Sequence, residues 1–145
     1  MYGLCPNYPI PIPDEFEPVM ALKAVISHVK TVKAGDTISY GRTFTADKDM
    51  RIATVTIGYA DGYSRLLSSK GEILVHGKRC RIVGRICMDQ LMIDVSDAEA
   101  EAGDIVTLIG RDGNDEITAD ELASLYGTIG YEVVCGISKR VPRIF

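Results

Sequence analysis

The sequence lacks the features that would place it in several large functional classes. Its 16 Lys and Arg are outnumbered by 20 Asp and Glu, for a net charge of −4, and the basic residues never gather into a run. A nucleic-acid surface needs a basic patch, so that class is not indicated. No apolar stretch approaches the roughly 18 residues that a membrane-spanning helix requires, and the N-terminus lacks a charged-then-apolar signal. The expected compartment is therefore the cytoplasm. Cysteine is sparse: Cys5, Cys80, Cys87 and Cys135 form no Cys-x-x-Cys pair, and there are only two histidines, His28 and His76. A structural zinc site shows paired ligands at short spacing, so no metal is expected and the cysteines read as buried free thiols. There is no Walker-type phosphate loop, no Gly-x-Ser-x-Gly elbow, no internal repeat and no low-complexity tract.

What is present reads as one ordinary globular domain. The 145 residues are 46% hydrophobic and 25% charged, enough to bury a sizeable core. Five of the six prolines, Pro6, Pro9, Pro11, Pro13 and Pro18, fall within residues 1–20. Proline fixes φ and removes a donor, so that segment is expected to be an extended linker leading in from something upstream. Residues 21–145 then form the domain.

From there the pattern is that of short strands. Leu22–Lys30, Thr37–Tyr40, Thr43–Thr45, Ile52–Ile57, Glu72–Val75, Cys80–Val83, Leu91–Val95 and Ile105–Ile109 are rich in β-branched residues and bounded by turn residues. His76-Gly77-Lys78 reads as a hairpin turn. Thr118 with Glu121 is a capping box that opens a helix ending near Gly127. The stretch 128–137 fits either a second short helix or a strand. The expectation is a mainly β, barrel- or sandwich-like domain with one or two short helices near the C-terminus.

Two constellations stand above this background. Ile57-Gly58-Tyr59-Ala60-Asp61-Gly62-Tyr63 follows the most strand-like run and places a tyrosine at a tight turn. Tyr59 is either a packed hairpin tyrosine or a phenol held at the rim of a sheet to meet a substrate. A phenol ordinarily titrates near ~10, so it serves as a base only where cations lower that value. Arg65 and Arg85 are the candidates in this chain. The second constellation, Gly84-Arg85-Ile86-Cys87-Met88-Asp89-Gln90, reads as a sheet corner, either filled by Met88 or presenting a backbone N–H to an anion.

Taken with Ser27-His28-Val29-Lys30, Ser39-Tyr40-Gly41 and Val141-Pro142-Arg143, in that order and spacing, these motifs resemble the C-terminal β-domain of pyridoxal-phosphate-dependent alanine racemases. The resemblance runs from Met1-Tyr2-Gly3 to Phe145. It implies a homodimeric enzyme in which a (β/α)₈ barrel, absent from this chain, holds most of the cofactor pyridoxal phosphate. Each active site then combines that barrel with the β-domain of the partner subunit. It implies that Tyr59 exchanges the proton on the L-amino-acid face and that the Met88 N–H holds the substrate carboxylate. It implies no activity for the isolated chain. Lys139 stands where many members of the family carry a tyrosine, which leaves a serine racemase of the same family as an alternative to alanine. A non-catalytic β-barrel binding module is the alternative from another class.

Overall fold

In the computed structural model, residues 3–4 and 17–144 are described. The linker expectation for residues 1–20 therefore falls largely outside the described residues, as do Cys5, Tyr2 and Phe145. The β-branched run after Ala21 forms the longest strand, β1 (Leu22–Val32). It is followed by β2 (Thr37–Ile38), β3 (Phe44–Thr45), β4 (Met50–Val55), β5 (Glu72–Val75), β6 (Lys78–Arg81), β7 (Leu91–Asp94), β8 (Ile105–Asp112) and β9 (Asp115–Ile117). Two short helices close the chain, α1 (Ala119–Tyr126) and α2 (Gly130–Gly136). The expectation of a mainly β domain with one or two short C-terminal helices holds, and the second helix, α2, lies within the ambiguous stretch 128–137.

All strand pairs are antiparallel, in the order β6-β5-β8-β1-β4-β7, with β9 paired to β8 and a separate β2–β3 ribbon. β1 is long enough to pair with β8 through its first half and β4 through its second, with a register shift between Ile26 and His28. The two edge strands meet where Ile82 bridges Ile93 and the Val83 N–H donates to Met92 O at 2.9 Å. The sheet therefore curls toward a barrel without closing along its length.

Alternation along β4 divides the interior. Ala53 and Val55 enter the main core with Ile26, Leu91, Ile93, Val106 and Leu108. Met50 and Ile52 face a smaller cluster with Val32, Ile38, Ala46 and Val83. That smaller core lies beneath the chain on both sides of the Ser39 and Gly84 turns.

Several local expectations change. Thr37–Tyr40 is a strand only as far as Ile38, and Tyr40–Arg42 is a 3₁₀ turn. The Thr118 hydroxyl caps α1 by accepting from the Glu121 N–H at 3.0 Å. The Glu121 carboxylate, expected to complete the capping box, is bound instead by Arg79 at 2.6 Å. Cys80 and Cys87 are buried free thiols as expected, whereas Cys135 is exposed. Desolvation, chiefly, pushes the Cys80 thiol up to about 11. No helix among the described residues is long and apolar enough to cross a membrane.

Candidate active site

The strand β4 ends at Val55, and beyond Thr56, Ile57 and Gly58 the backbone folds into a 3₁₀ turn, Tyr59–Asp61. The Gly58 N–H donates to Asp61 Oδ2 at 2.9 Å, and Gly62 leaves the turn in the left-handed region at φ 95°. Asp61-Gly62 thus acts as the turn signal it resembles. Tyr63 anchors the far side: its ring is buried in the main core, and its hydroxyl has no hydrogen-bond partner among the described residues. Burial, then the nearby Glu121 and Tyr126, hold its phenol well above the ordinary value.

The two constellations singled out by sequence lie against one another. The Tyr59 N–H donates to Cys87 O and the Ala60 N–H to Met88 O, both at 3.0 Å. This contact requires glycine at position 58, because a Cβ there would overlap the carbonyl oxygens of Cys87 and Met88. The Cys87 N–H turns back to Gln90 O at 2.9 Å. Met88 is an exposed apolar side chain, so it is not the core filler that one sequence reading allowed. Its carbonyl is used, while its N–H has no hydrogen-bond partner among the described residues.

A third segment docks on the same loop, and sequence reasoning missed its importance. Ser39 Oγ donates to Arg85 O at 2.6 Å, and Gly84 lies close enough to Ser39 that a Cβ there would clash with it. The turn that follows is strained: Ser39 at φ 68° and Arg42 at φ 50° are non-glycine residues in the left-handed region, with Gly41 between them at φ 74°. Such residues cost of order 1–3 kcal/mol each and persist only where surrounding structure enforces them. The residue they frame is Tyr40, which is 71% exposed, against 42% for Tyr59. The Arg85 guanidinium lies against the backbone of Gly41, the residue after Tyr40. Among the described residues, neither Arg85 nor Arg65 is hydrogen-bonded to Tyr59. The available signal was the tripeptide Ser39-Tyr40-Gly41 itself, which reads as the tail of a strand until its backbone is seen.

The C-terminal loop straps this face. The Ser138 N–H donates to Asp61 O at 2.9 Å. Arg143 donates to the carbonyls of Ile137, Ser138 and Val141 at 2.8–3.3 Å, which fixes the loop's shape. Arg140 reaches Asp89 Oδ1 at 2.7 Å and Asp61 Oδ1 at 3.5 Å. Asp89 first, then Asp61, raise its pKa further above the ordinary arginine value. Lys139 is exposed.

The face therefore presents two phenols, an arginine and a free backbone N–H on one supporting loop. These are donors and a proton-transfer group suited to a small anionic substrate. Every lysine among the described residues is exposed.

Comparison with known proteins gives this face a context. Residues 19–145 match the family described as alanine racemase, C-terminal domain. The alanine racemase 1 of Bacillus subtilis is 50% identical over 147 residues, covering 100% of this chain and 37% of that protein. The alanine racemase of Clostridium novyi is 45% identical, covering 100% of this chain and 38% of that protein. The crystal structure of the Bacillus anthracis alanine racemase, solved with bound L-Ala-P, superposes with a TM-score of 0.93 at 49% identity. It covers 99% of this chain and 37% of the other. The chain thus spans less than two fifths of the length of these relatives.

Proposed function

The chain belongs to the alanine racemase C-terminal domain family, and from that premise we propose that it completes the active site of a pyridoxal-phosphate-dependent alanine racemase. Residues 1–20 then lead in from a (β/α)₈ barrel that holds most of the cofactor, and the site forms between the barrel of one subunit and this domain of its partner in a cytoplasmic homodimer. Pyridoxal phosphate, when bound, draws electrons from the substrate α-carbon and so acidifies its proton. This chain's residues supply the rest on one face. The unpartnered Met88 N–H binds the substrate carboxylate, a charge-assisted hydrogen bond that does not depend on the methionine side chain. A phenol takes the α-proton from the L-isomer and returns it in the reverse direction, while a base outside this chain serves the opposite face.

Of the two phenols, the role expected of Tyr59 is better supported for Tyr40, with Tyr59 lining the site beside it. The observation that carries this assignment is the strained Ser39–Arg42 backbone, which holds an exposed phenol on a turn whose Gly41 packs against the Arg85 guanidinium. Strain and exposure without a packing role are what a functional tyrosine shows and a structural one does not.

The test is α-proton exchange in deuterium oxide with the full-length enzyme. Tyr40→Phe should slow exchange from L-alanine by about 10²–10⁴-fold while exchange from D-alanine persists. Tyr59→Phe should cost less than about tenfold, and the opposite ranking would return the role to Tyr59. The 145-residue chain alone, with pyridoxal phosphate added, should not racemise alanine.

A further inference from the structure

We infer that Arg140 is a positioning residue that sets the direction of the Met88 N–H, and through it the affinity for the substrate carboxylate; this rests on the reading of Met88 given above. Two turns converge on that N–H from different parts of the chain. One is the Gly58–Asp61 turn, which grips Met88 through the Ala60 N–H to Met88 O bond of 3.0 Å. The other is the corner 87–90, in which Asp89 directly follows Met88 and Cys87 N–H bonds Gln90 O. The backbone joins the two turns through two bonds, Tyr59 N–H to Cys87 O and Ala60 N–H to Met88 O, and neither involves Asp89. Arg140 adds a side-chain tie across the same junction by holding a carboxylate from each turn, Asp61 and Asp89, on one planar guanidinium.

The arrangement divides labour at Asp61. Its Oδ2 accepts from the Gly58 N–H and shapes the turn, while Oδ1 faces Arg140. Asp61 is 14% exposed, so its orientation is enforced by packing and it acts as the fixed end of the clamp. Asp89 is 58% exposed and is the end that would otherwise move. Arg140 is fixed from behind, because its N–H donates to Ser138 Oγ at 3.1 Å and Ser138 N–H is bound to Asp61 O. The loop that carries Arg140 is held in turn by Arg143.

The magnitudes separate this role from a stabilising one. Arg140 is about half exposed, and ion pairs of that kind contribute little to folding. An N–H misdirected by a few tenths of an ångström, by contrast, loses much of a charge-assisted bond whose strength depends steeply on angle. The clamp therefore matters to binding more than to the fold.

The experiment uses the full-length holoenzyme with L- and D-alanine as substrates, propionate as a competitive carboxylate probe, and the melting temperature as a control. Arg140→Met should raise KM for both isomers, and the inhibition constant of propionate, by about tenfold in parallel. Its kcat should stay within about threefold and its Tm within a few degrees. Arg140→Lys should recover part of the affinity, since an ammonium holds one carboxylate but not two in plane. Asp89→Asn should reproduce part of the KM effect. Unchanged KM and propionate inhibition in Arg140→Met would overturn the inference while leaving the racemase reading intact. So would a parallel fall in kcat and Tm, which would mark a structural role. A wild-type enzyme that does not racemise alanine would overturn the underlying reading and the inference with it.

Discussion

Two arginines each gather carboxylates from distant parts of the chain, and they do so for different ends. Arg79, on β6, donates from Nε, Nη1 and Nη2 to Asp115, Glu121, Glu72 and the Glu116 carbonyl at 2.6–3.3 Å. It joins a sheet edge to β9 and α1, with its side chain 31% exposed. Arg140 has two carboxylates and a more open setting, and the pieces it joins are loops. The first saturates its donors among regular elements and braces the fold. The second leaves the fold to other contacts and fixes the relation of two turns that carry the proposed chemistry.

The sharpest way to break this comparison is at the junction of the turns. Gly58→Ala would push a methyl into the Cys87 and Met88 carbonyls, which cannot retreat without opening both bonds from Tyr59 and Ala60. We expect a loss of about 1–3 kcal/mol in urea unfolding, together with loss of most racemase activity in the full-length enzyme. Near-normal activity would show that the two turns need not touch.

Next in size is Arg79→Met, which strands three carboxylates at the sheet edge. It should cost about 1–2 kcal/mol by urea midpoint, discounted for partial exposure, and leave KM for alanine unchanged. A change in KM with no change in midpoint would invert the roles assigned to the two arginines. The acid dependence follows from the same contact. The Arg79 guanidinium, first among the causes, holds the Asp115 carboxyl below the usual carboxylate range. That contribution is complete above the unfolded carboxylate value and is lost as pH falls through the lower folded one. Arg79→Met should therefore flatten the acid limb of a stability profile.

The smallest expected effect is at Tyr63, whose hydroxyl is buried without a partner among the described residues. Tyr63→Phe removes an unsatisfied polar group while keeping the ring, so it should be neutral or stabilising by up to about 1 kcal/mol. Destabilisation in thermal melts would mean that the hydroxyl has a partner in solution.

Much of the fold was legible because strands and helix starts are local events. The β-branched run of β4, the His76-Gly77 hairpin turn and the Thr118 cap each depend on a few neighbouring residues. The Glu121 half of the capping box failed for a non-local reason: Arg79, 42 positions earlier, offers that carboxylate a stronger, charge-assisted partner than a backbone N–H does. Tyr40 was misread for a similar reason. Ser39-Tyr40-Gly41 has the composition of a strand end, and only the docking of Ser39 on Arg85 and Gly84 bends it into a turn that exposes the phenol.

By itself, then, the sequence determined a mainly β domain with one or two short helices near the C-terminus and the Asp61-Gly62 turn, which rest on propensity, periodicity and spacing acting within a few residues. Membership in a racemase family rests instead on the resemblance of an ordered set of motifs. Tertiary structure alone decided that the turns at 39–42, 58–62 and 84–89 share one face, that the Met88 N–H is left free, and that Arg140 spans Asp61 and Asp89. Those outcomes depend on where a curled antiparallel sheet carries its loops, and no local pattern encodes a meeting between residues as far apart as Asp61 and Arg140.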